Sequence, residues 1–418
     1  MMMSVFVDLL GERGFYWASR LLPALALLSY LCAPSSRWLT KKTRHVSKRC
    51  DDKRTNVVEM ENGFMELIRK KCRKTGQSYM VIGGAGFLGK RLVEILLARG
   101  ETKVAAFDIV KESPFSSDVE YFSGNILDSE ALATALQGID VVVFTAALIR
   151  FMDRMEFQYK VSHDVNVNGT QTVFEACVAA GIKTVLYCST SHVAVPMQKS
   201  PDDIYVYDET SPLVTKATSP NHYGITKALA EKIAISFDGK AGMHVGIIRP
   251  CSGIFGLNDR LILQPDVVEG EATLMIPETI LDWIFVDNLC YAFFLLENAI
   301  HRGKDICGVP ICVSNGEPMT IDQFHNSFSE VSKDAVGREV KIIYAPRRFL
   351  YGLAYFVDFL KYCGATNLGK LGLLTPAMID TASISHVLKS DRAKKSLGYE
   401  PFFTVRDGMR KTCLQANK

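Results

Sequence analysis

From residue 78 onward, apolar positions fall into short β-prone runs that alternate with stretches of helical period. The β-prone runs are Ser78–Ile82, Lys103–Phe107, Tyr121–Ser123, Asp140–Ala146 and Thr184–Ser189. Between them Lys90–Arg99, Ser129–Leu136 and Asp164–Ala180 read as helices, the first ending at Gly100. The run DVVVFTA at 140–146 is almost continuously apolar, as expected of a strand buried on both faces. Repeated strand–helix units predict an α/β fold with a doubly wound parallel sheet.

Two further patterns stand outside this alternation. Phe15–Ala33 (FYWASRLLPALALLSYLCA) approaches the ~20 residues that cross a bilayer, although Arg20 and Pro23 interrupt it. From Ser35 to Thr75, thirteen Lys and Arg then stand against five Asp and Glu. The positive-inside rule leaves everything beyond that stretch in the cytosol. Residues 1–34 therefore read as an N-terminal membrane anchor. Residues 35–77 read as a basic linker against anionic lipid, with room for one short helix. A mitochondrial-type presequence and an interfacial helix are the alternatives for the apolar segment. Late in the chain, Arg347–Cys363 (RRFLYGLAYFVDFLKYC) is apolar and aromatic but carries Asp358 and Lys361. It reads as an interfacial or substrate-access helix, with an ordinary core helix as the alternative.

Composition narrows the class. The chain has 418 residues, 48% hydrophobic and 22% charged, which excludes whole-chain disorder. A net charge of +3 gives no case for nucleic-acid binding. Its eleven cysteines include no C-x-x-C pair, so reduced thiols are expected and neither a metal site nor a disulfide framework.

The first strand runs into Gly83-Gly84-Ala85-Gly86-Phe87-Leu88-Gly89. Gly83 lets the chain turn out of the strand, Gly86 lets backbone N–H groups approach a pyrophosphate, and Gly89 lets the helix pack close to the sheet. Asp108 closes the second strand, 19 residues beyond Gly89. A carboxylate there bonds the adenosine ribose hydroxyls and repels a 2′-phosphate, which favours NAD over NADP. Strand, turn, helix, strand and acid in this order predict a Rossmann-type NAD-binding core over 78–256. Residues 257–418 are then mainly a smaller C-terminal substrate-binding lid, with some elements returning to the core.

These motifs, with Tyr223-Gly224-Ile225-Thr226-Lys227, resemble the extended short-chain dehydrogenase/reductases from Tyr79 to Phe402. Asn166-Val167-Asn168-Gly169-Thr170, Ser189-Thr190-Ser191, Arg249-Pro250 and Arg392–Pro401 carry the same likeness. Within that superfamily, Ile82–Gly89, Phe107-Asp108-Ile109 and Phe285-Val286-Asp287-Asn288 are most similar to the 3β-hydroxysteroid dehydrogenase group, which includes the sterol-4α-carboxylate 3-dehydrogenases. The resemblance implies a cofactor-binding set of Gly83, Gly84, Ala85, Gly86, Phe87, Leu88, Gly89, Asp108, Asn125, Ile126, Ala146, Asn166, Tyr223, Lys227 and Pro250. Asn125 stands where the family usually has Asp, and Thr190 where it usually has Ser.

Tyr223 and Lys227 lie four apart in a helical pattern and so share a face. A fixed ammonium beside a phenol favours the phenolate, which would otherwise form only near pH ~10. Tyr223, Lys227 and Thr190 are thus the expected catalytic residues. Tyr223 moves the proton of a secondary alcohol as hydride passes to the nicotinamide, and Thr190 orients the substrate oxygen. By resemblance, Lys227 also holds the nicotinamide ribose and Pro250 lies along the nicotinamide. His192 and His222 flank the site as loop histidines, His222 within reach of substrate.

The expected reaction is NAD(P)-dependent oxidation or reduction at the 3β-position of a steroid or sterol. Oxidation of a sterol-4α-carboxylate with decarboxylation is the alternative; a non-catalytic NAD(H)-binding scaffold and a sugar-nucleotide epimerase are further ones. A Δ5–Δ4 isomerase step would need an acid/base group that the sequence does not identify. The expected partners are a lipophilic small molecule, membrane lipid and a second copy in a homodimer, with no nucleic acid. The expected location is the endoplasmic reticulum membrane, catalytic domain in the cytosol.

Overall fold

The computed structural model describes residues 57–150, 156–196, 203–219, 221–259, 261–263, 273–363 and 374–417, with residues 270, 368 and 372. The apolar segment Phe15–Ala33 and the basic residues before 57 lie outside the described residues. Among the described residues no helix is long and apolar enough to cross a membrane.

The alternating pattern resolves into β1 (Tyr79–Ile82), β2 (Val104–Asp108), β3 (Glu120–Ser123), β4 (Val141–Phe144) and β5 (Thr184–Cys188). The strands His244–Pro250 and Pro310–Val313 complete a seven-stranded sheet. Its order is Pro310–Val313, His244–Pro250, β5, β4, β1, β2, β3, and every pairing is parallel. The order reverses between β1 and β4, which opens a crevice beyond their carboxyl ends.

Both sheet faces are apolar, as the continuous runs require. Tyr79, Val81, Val141 and Val143 join one core; Met80, Ile82, Val142 and Phe144 join the other. The helix after the glycine turn begins at Phe87, three residues before the expected start, and ends at Arg99. Gly100 closes it in the left-handed conformation, φ 100°. The stretch expected as one helix from Asp164 divides into a π-helical turn, Asp164–Asn168, and an α-helix, Gly169–Ala180.

The basic linker holds a helix, as it left room for, and this helix packs into the core. Val57–Lys71 is a 15-residue helix whose Phe64 and Ile68 are fully buried in the core. Its apolar stripe was masked by the flanking charge. Glu61 on this helix bonds Arg91 and Lys411, and Asp287 bonds the same two cations. This network binds the helix to Phe87–Arg99, Val286–His301 and the last helix, Val405–Ala416.

After residue 251 the chain builds small paired ribbons instead of a second sheet. Gly253–Phe255 pairs with Trp283–Phe285, and Ile280–Leu281 with Met319–Thr320. Trp283 stacks on Phe324 with ring centroids 3.7 Å apart. The helices Ile321–Val336, Arg347–Tyr362 and Pro376–Ala382 lie in this half. Arg347–Tyr362 buries Leu350, Ala354 and Val357 on one stripe and leaves its aromatic residues half-exposed, with Tyr362 exposed. His386–Leu388 then crosses back to pair in parallel with Tyr205–Tyr207.

Candidate active site

The glycine turn shows why its residue types are needed. Gly83 has φ 86°, and a Cβ there would stand 2.6 Å from the Ala146 backbone nitrogen. A Cβ on Gly89 would stand 2.1 Å from the Gly83 carbonyl oxygen. The chain therefore passes tightly from β1 into the helix and against the loop after β4. Gly86 is the N-cap and offers no side-chain bond, and the first turn of the helix holds no acid. The first-turn residues Phe87, Leu88 and Gly89 line a cavity of about 770 Å³. An uncapped helix N-terminus on a cavity wall suits a phosphate group, so these residues fit a dinucleotide.

Asp108, at the end of β2, lines the same cavity and is half-buried. Its oxygens accept from the Ala85 N–H at 3.0 Å and the Val110 N–H at 3.2 Å. Its carboxylate thereby holds the turn as well as facing the cavity. Asn125, Ile126, Ala146 and Pro250 are also on the wall. The Asn125 side-chain oxygen accepts from the Leu127 N–H at 3.0 Å, which forms a local turn.

Three residues of the expected cofactor set are displaced from the wall. Gly84 packs against β2, where a Cβ would meet Ala106 at 2.6 Å, and Ala85 gives its N–H to Asp108. Asn166 is 2% exposed and clamped: its oxygen accepts from the Leu148 N–H at 2.7 Å, and its amide donates to the Leu148 carbonyl and to Thr226. It ties the loop after β4 to the Tyr223 helix. His222 is likewise off the wall, with its ring edge-on to Tyr159 at 5.2 Å.

Tyr223 and Lys227 lie on the helix His222–Phe237. Asn221 caps it, accepting from the Tyr223 and Gly224 N–H groups at 3.0 and 3.3 Å. The cap fixes Tyr223 in the first turn, and both side chains reach the cavity. Thr190, just past β5, also lines it and bonds Tyr223. The neighbouring Ser189 is committed elsewhere, donating to Glu231 at 2.6 Å, where Arg249 also bonds.

The electrostatics depart from expectation. Burial pushes Tyr223 well above the ordinary phenol value; Cys188 adds to this, and the Thr190 bond opposes it. The Lys227 ammonium donates to the Tyr187 hydroxyl at 2.7 Å and the Cys188 carbonyl at 2.8 Å. Burial in turn pulls Lys227 down to about 8.

The lid supplies residues that no motif marked. Asp259, His325 and His386 line the cavity with His192 and Ser252 of the core, beside an apolar wall that includes Trp283 and Leu350. His386 Nδ1 donates to the Ile384 carbonyl, so Nε2 accepts from the Ser252 hydroxyl at 2.6 Å. The strand pairing with Tyr205–Tyr207 and the Leu388 N–H bond to Asp282 bring His386 here, and a lone histidine in the sequence carries no such signal.

The geometry can be set beside known proteins. Residues 80–339 match the 3-beta hydroxysteroid dehydrogenase/isomerase family. A 3-beta-hydroxysteroid dehydrogenase of Mycolicibacterium neoaurum is 30% identical over 344 residues, 79% of this chain and 88% of that protein. A mouse sterol-4-alpha-carboxylate 3-dehydrogenase, decarboxylating, is 28% identical over 82% of this chain and 90% of its own length. A 3beta-hydroxysteroid-dehydrogenase/decarboxylase of Arabidopsis thaliana is 29% identical over 80% of this chain, which spans 61% of that longer protein. Among solved structures, UDP-glucose 4-epimerase of Thermus thermophilus in complex with NAD shares the fold at a TM-score of 0.60 and 20% identity, over 81% of this chain and 99% of that one. The chain belongs to the 3-beta hydroxysteroid dehydrogenase/isomerase family, and it is an oxidoreductase acting on CH–OH groups.

Proposed function

We propose that the protein interconverts the 3β-hydroxyl and 3-keto groups of a steroid or sterol with NAD, Tyr223 acting as general acid/base. One observation carries this reading. A single cavity joins the glycine turn to Thr190, Tyr223 and Lys227, and continues into a wall of Leu261, Ile262, Trp283, Leu350, Leu374 and Ile379. Such a wall suits a fused-ring hydrocarbon and not the hydroxyl-rich face of a sugar nucleotide.

The turn from Gly83 to Gly89 would hold the pyrophosphate, and Asp108 the adenosine ribose, which favours NAD over NADP. NAD, when bound, supplies the hydride acceptor. Tyr223 takes the alcohol proton in oxidation and returns it in reduction. Thr190, bonded to Tyr223, orients the substrate oxygen and favours the phenolate. Lys227, anchored by Tyr187 and Cys188, keeps a cation in the same wall.

Decarboxylating oxidation of a sterol-4α-carboxylate is the second reading, suggested by the mouse relative. Among the described residues of the wall, Lys227 is the one Lys or Arg. Burial lowers His192 to about 3 and His325 and His386 to about 4, so all three are neutral. An uncharged alcohol is favoured over a carboxylate. Membrane association belongs to the same proposal, with the half-exposed aromatic residues of Arg347–Tyr362 facing lipid at the route of a lipophilic substrate.

The test is NADH production by the detergent-solubilised protein across 3β-hydroxysteroids and 4-carboxysterols. Tyr223→Phe is expected to lower turnover at least ~100-fold while NAD binds as before. If the wild-type protein binds NAD yet oxidises none of these alcohols, the steroid or sterol substrate class is overturned.

A further inference from the structure

Three side chains meet at the end of the sheet opposite the cavity. The cavity lies beyond the carboxyl ends of the strands, at Cys188 and Pro250. At the amino ends, Asp238, His244 and Cys307 bring one carboxylate oxygen, one imidazole nitrogen and one thiol sulfur within 4.8 Å of one another. They come from three places: the C-cap of the Tyr223 helix, the first residue of the strand His244–Pro250, and the loop before Pro310–Val313.

The backbone around them is organised to keep these groups together. Asp238 Oδ1 accepts from the Val245 N–H at 2.8 Å, which turns Oδ2 toward the loop that carries Cys307. The Gly308 N–H donates to the Val245 carbonyl at 2.8 Å, and the His244 N–H to that of Lys183 at 2.9 Å. Gly308 has φ 68°, and a Cβ there would stand 3.1 Å from Asp238 Oδ2. Glycine therefore lets the cysteine loop close onto the carboxylate.

We propose that Asp238, His244 and Cys307 form a zinc site, with water as the fourth ligand. Thiolate, imidazole and carboxylate together are a zinc donor set. Bond lengths of ~2.0–2.3 Å place tetrahedral ligands roughly 3.5 Å apart, so closure needs movements of about 1 Å. His244 is exposed and can turn without disturbing the core. A divalent cation binds the thiolate, and the neighbouring Asp238 and Asp305 carboxylates favour its presence. The ion would pin the end of the helix that carries Tyr223 and Lys227 at its other end.

The experiment uses the full chain, purified under reducing conditions and stripped with chelator, then titrated with cobalt(II). One equivalent is expected to bind and to produce a thiolate-to-cobalt charge-transfer band, displaced by zinc. Cys307→Ser is expected to abolish the band, and Asp238→Asn to weaken cobalt binding at least ~10-fold. His244→Ala removes an exposed side chain, so the fold is retained, and it too is expected to weaken binding at least ~10-fold. A charge-transfer band unchanged in Cys307→Ser, wild-type affinity in His244→Ala, or no cobalt uptake by the wild-type protein would each overturn the assignment.

Discussion

Tyr223 is fully enclosed, and enclosure disfavours its phenolate; the Thr190 hydroxyl bond works in the other direction. Thr190→Val keeps the shape and removes that bond. Alcohol oxidation requires Tyr223 without its proton, so its rate rises with pH. The rising limb of kcat/KM is therefore expected to move to higher pH in the variant, measured as matched pH–rate profiles. Superimposable profiles would show that the bond does not reach the reacting proton. At this scale the sequence was informative where chemistry is local: Tyr223 and Lys227 share a helix face, and the glycine turn needs its small residues. It was uninformative where chemistry depends on a distant partner. Thr190 was the expected hydroxyl, but that the neighbouring Ser189 is bonded to Glu231 was not legible. That Asn166 bonds Leu148 and Thr226 is likewise not written in the sequence.

Between elements, the sequence left room for the helix Val57–Lys71 but gave no sign of its packing into the core. Its charged flanks suggested a linker, yet Glu61 joins Arg91, Lys411 and Asp287 in a shared network. Burial alone would raise the Asp287 carboxyl, but Arg91 and Lys411 hold it below the usual carboxylate range. Asp287 is 1% exposed and bridges both cations. Asp287→Ala leaves the nearly buried Lys411 and Arg91 short of countercharge and is expected to cost about 3–5 kcal/mol in urea unfolding. A loss below about 1 kcal/mol would mean that Glu61 alone compensates them. The sequence placed Asp287 within a family motif but could not name its partners, which lie 196 and 124 residues away along the chain.

For the whole molecule, the return of the C-terminal segment to the core decides both the lid and part of the stability. Asp282 accepts from the Leu388 N–H with one oxygen, while the other is buried without a partner. Burial pushes this carboxyl up to about 6, against 3.8 ordinarily. The folded state then binds more protons than the unfolded state between those values, so stability falls as pH rises through that window. Ionised Asp282 costs roughly 3 kcal/mol above it and nothing below it. Asp282→Asn cannot titrate. Its stability relative to wild type is expected to improve by about that amount from about pH 4 to about pH 7, read as the gap between urea midpoints. A gap independent of pH would place the carboxyl in contact with solvent.

The sequence by itself determined the parallel sheet, the nucleotide turn and the shared face of Tyr223 and Lys227. Each of these is written in short-range periodicity, or in glycines whose backbone admits no other residue. Only the tertiary structure decided that Lys227 is bonded to Tyr187 and Cys188, and that His386 joins the cavity from the far end of the chain. It also decided that Asp238, His244 and Cys307 meet, although no spacing between them marks a metal motif. The physical reason is common to all of these. Burial, countercharge and ligand distance are set by residues far apart along the chain, and they come into existence only when the strands pair.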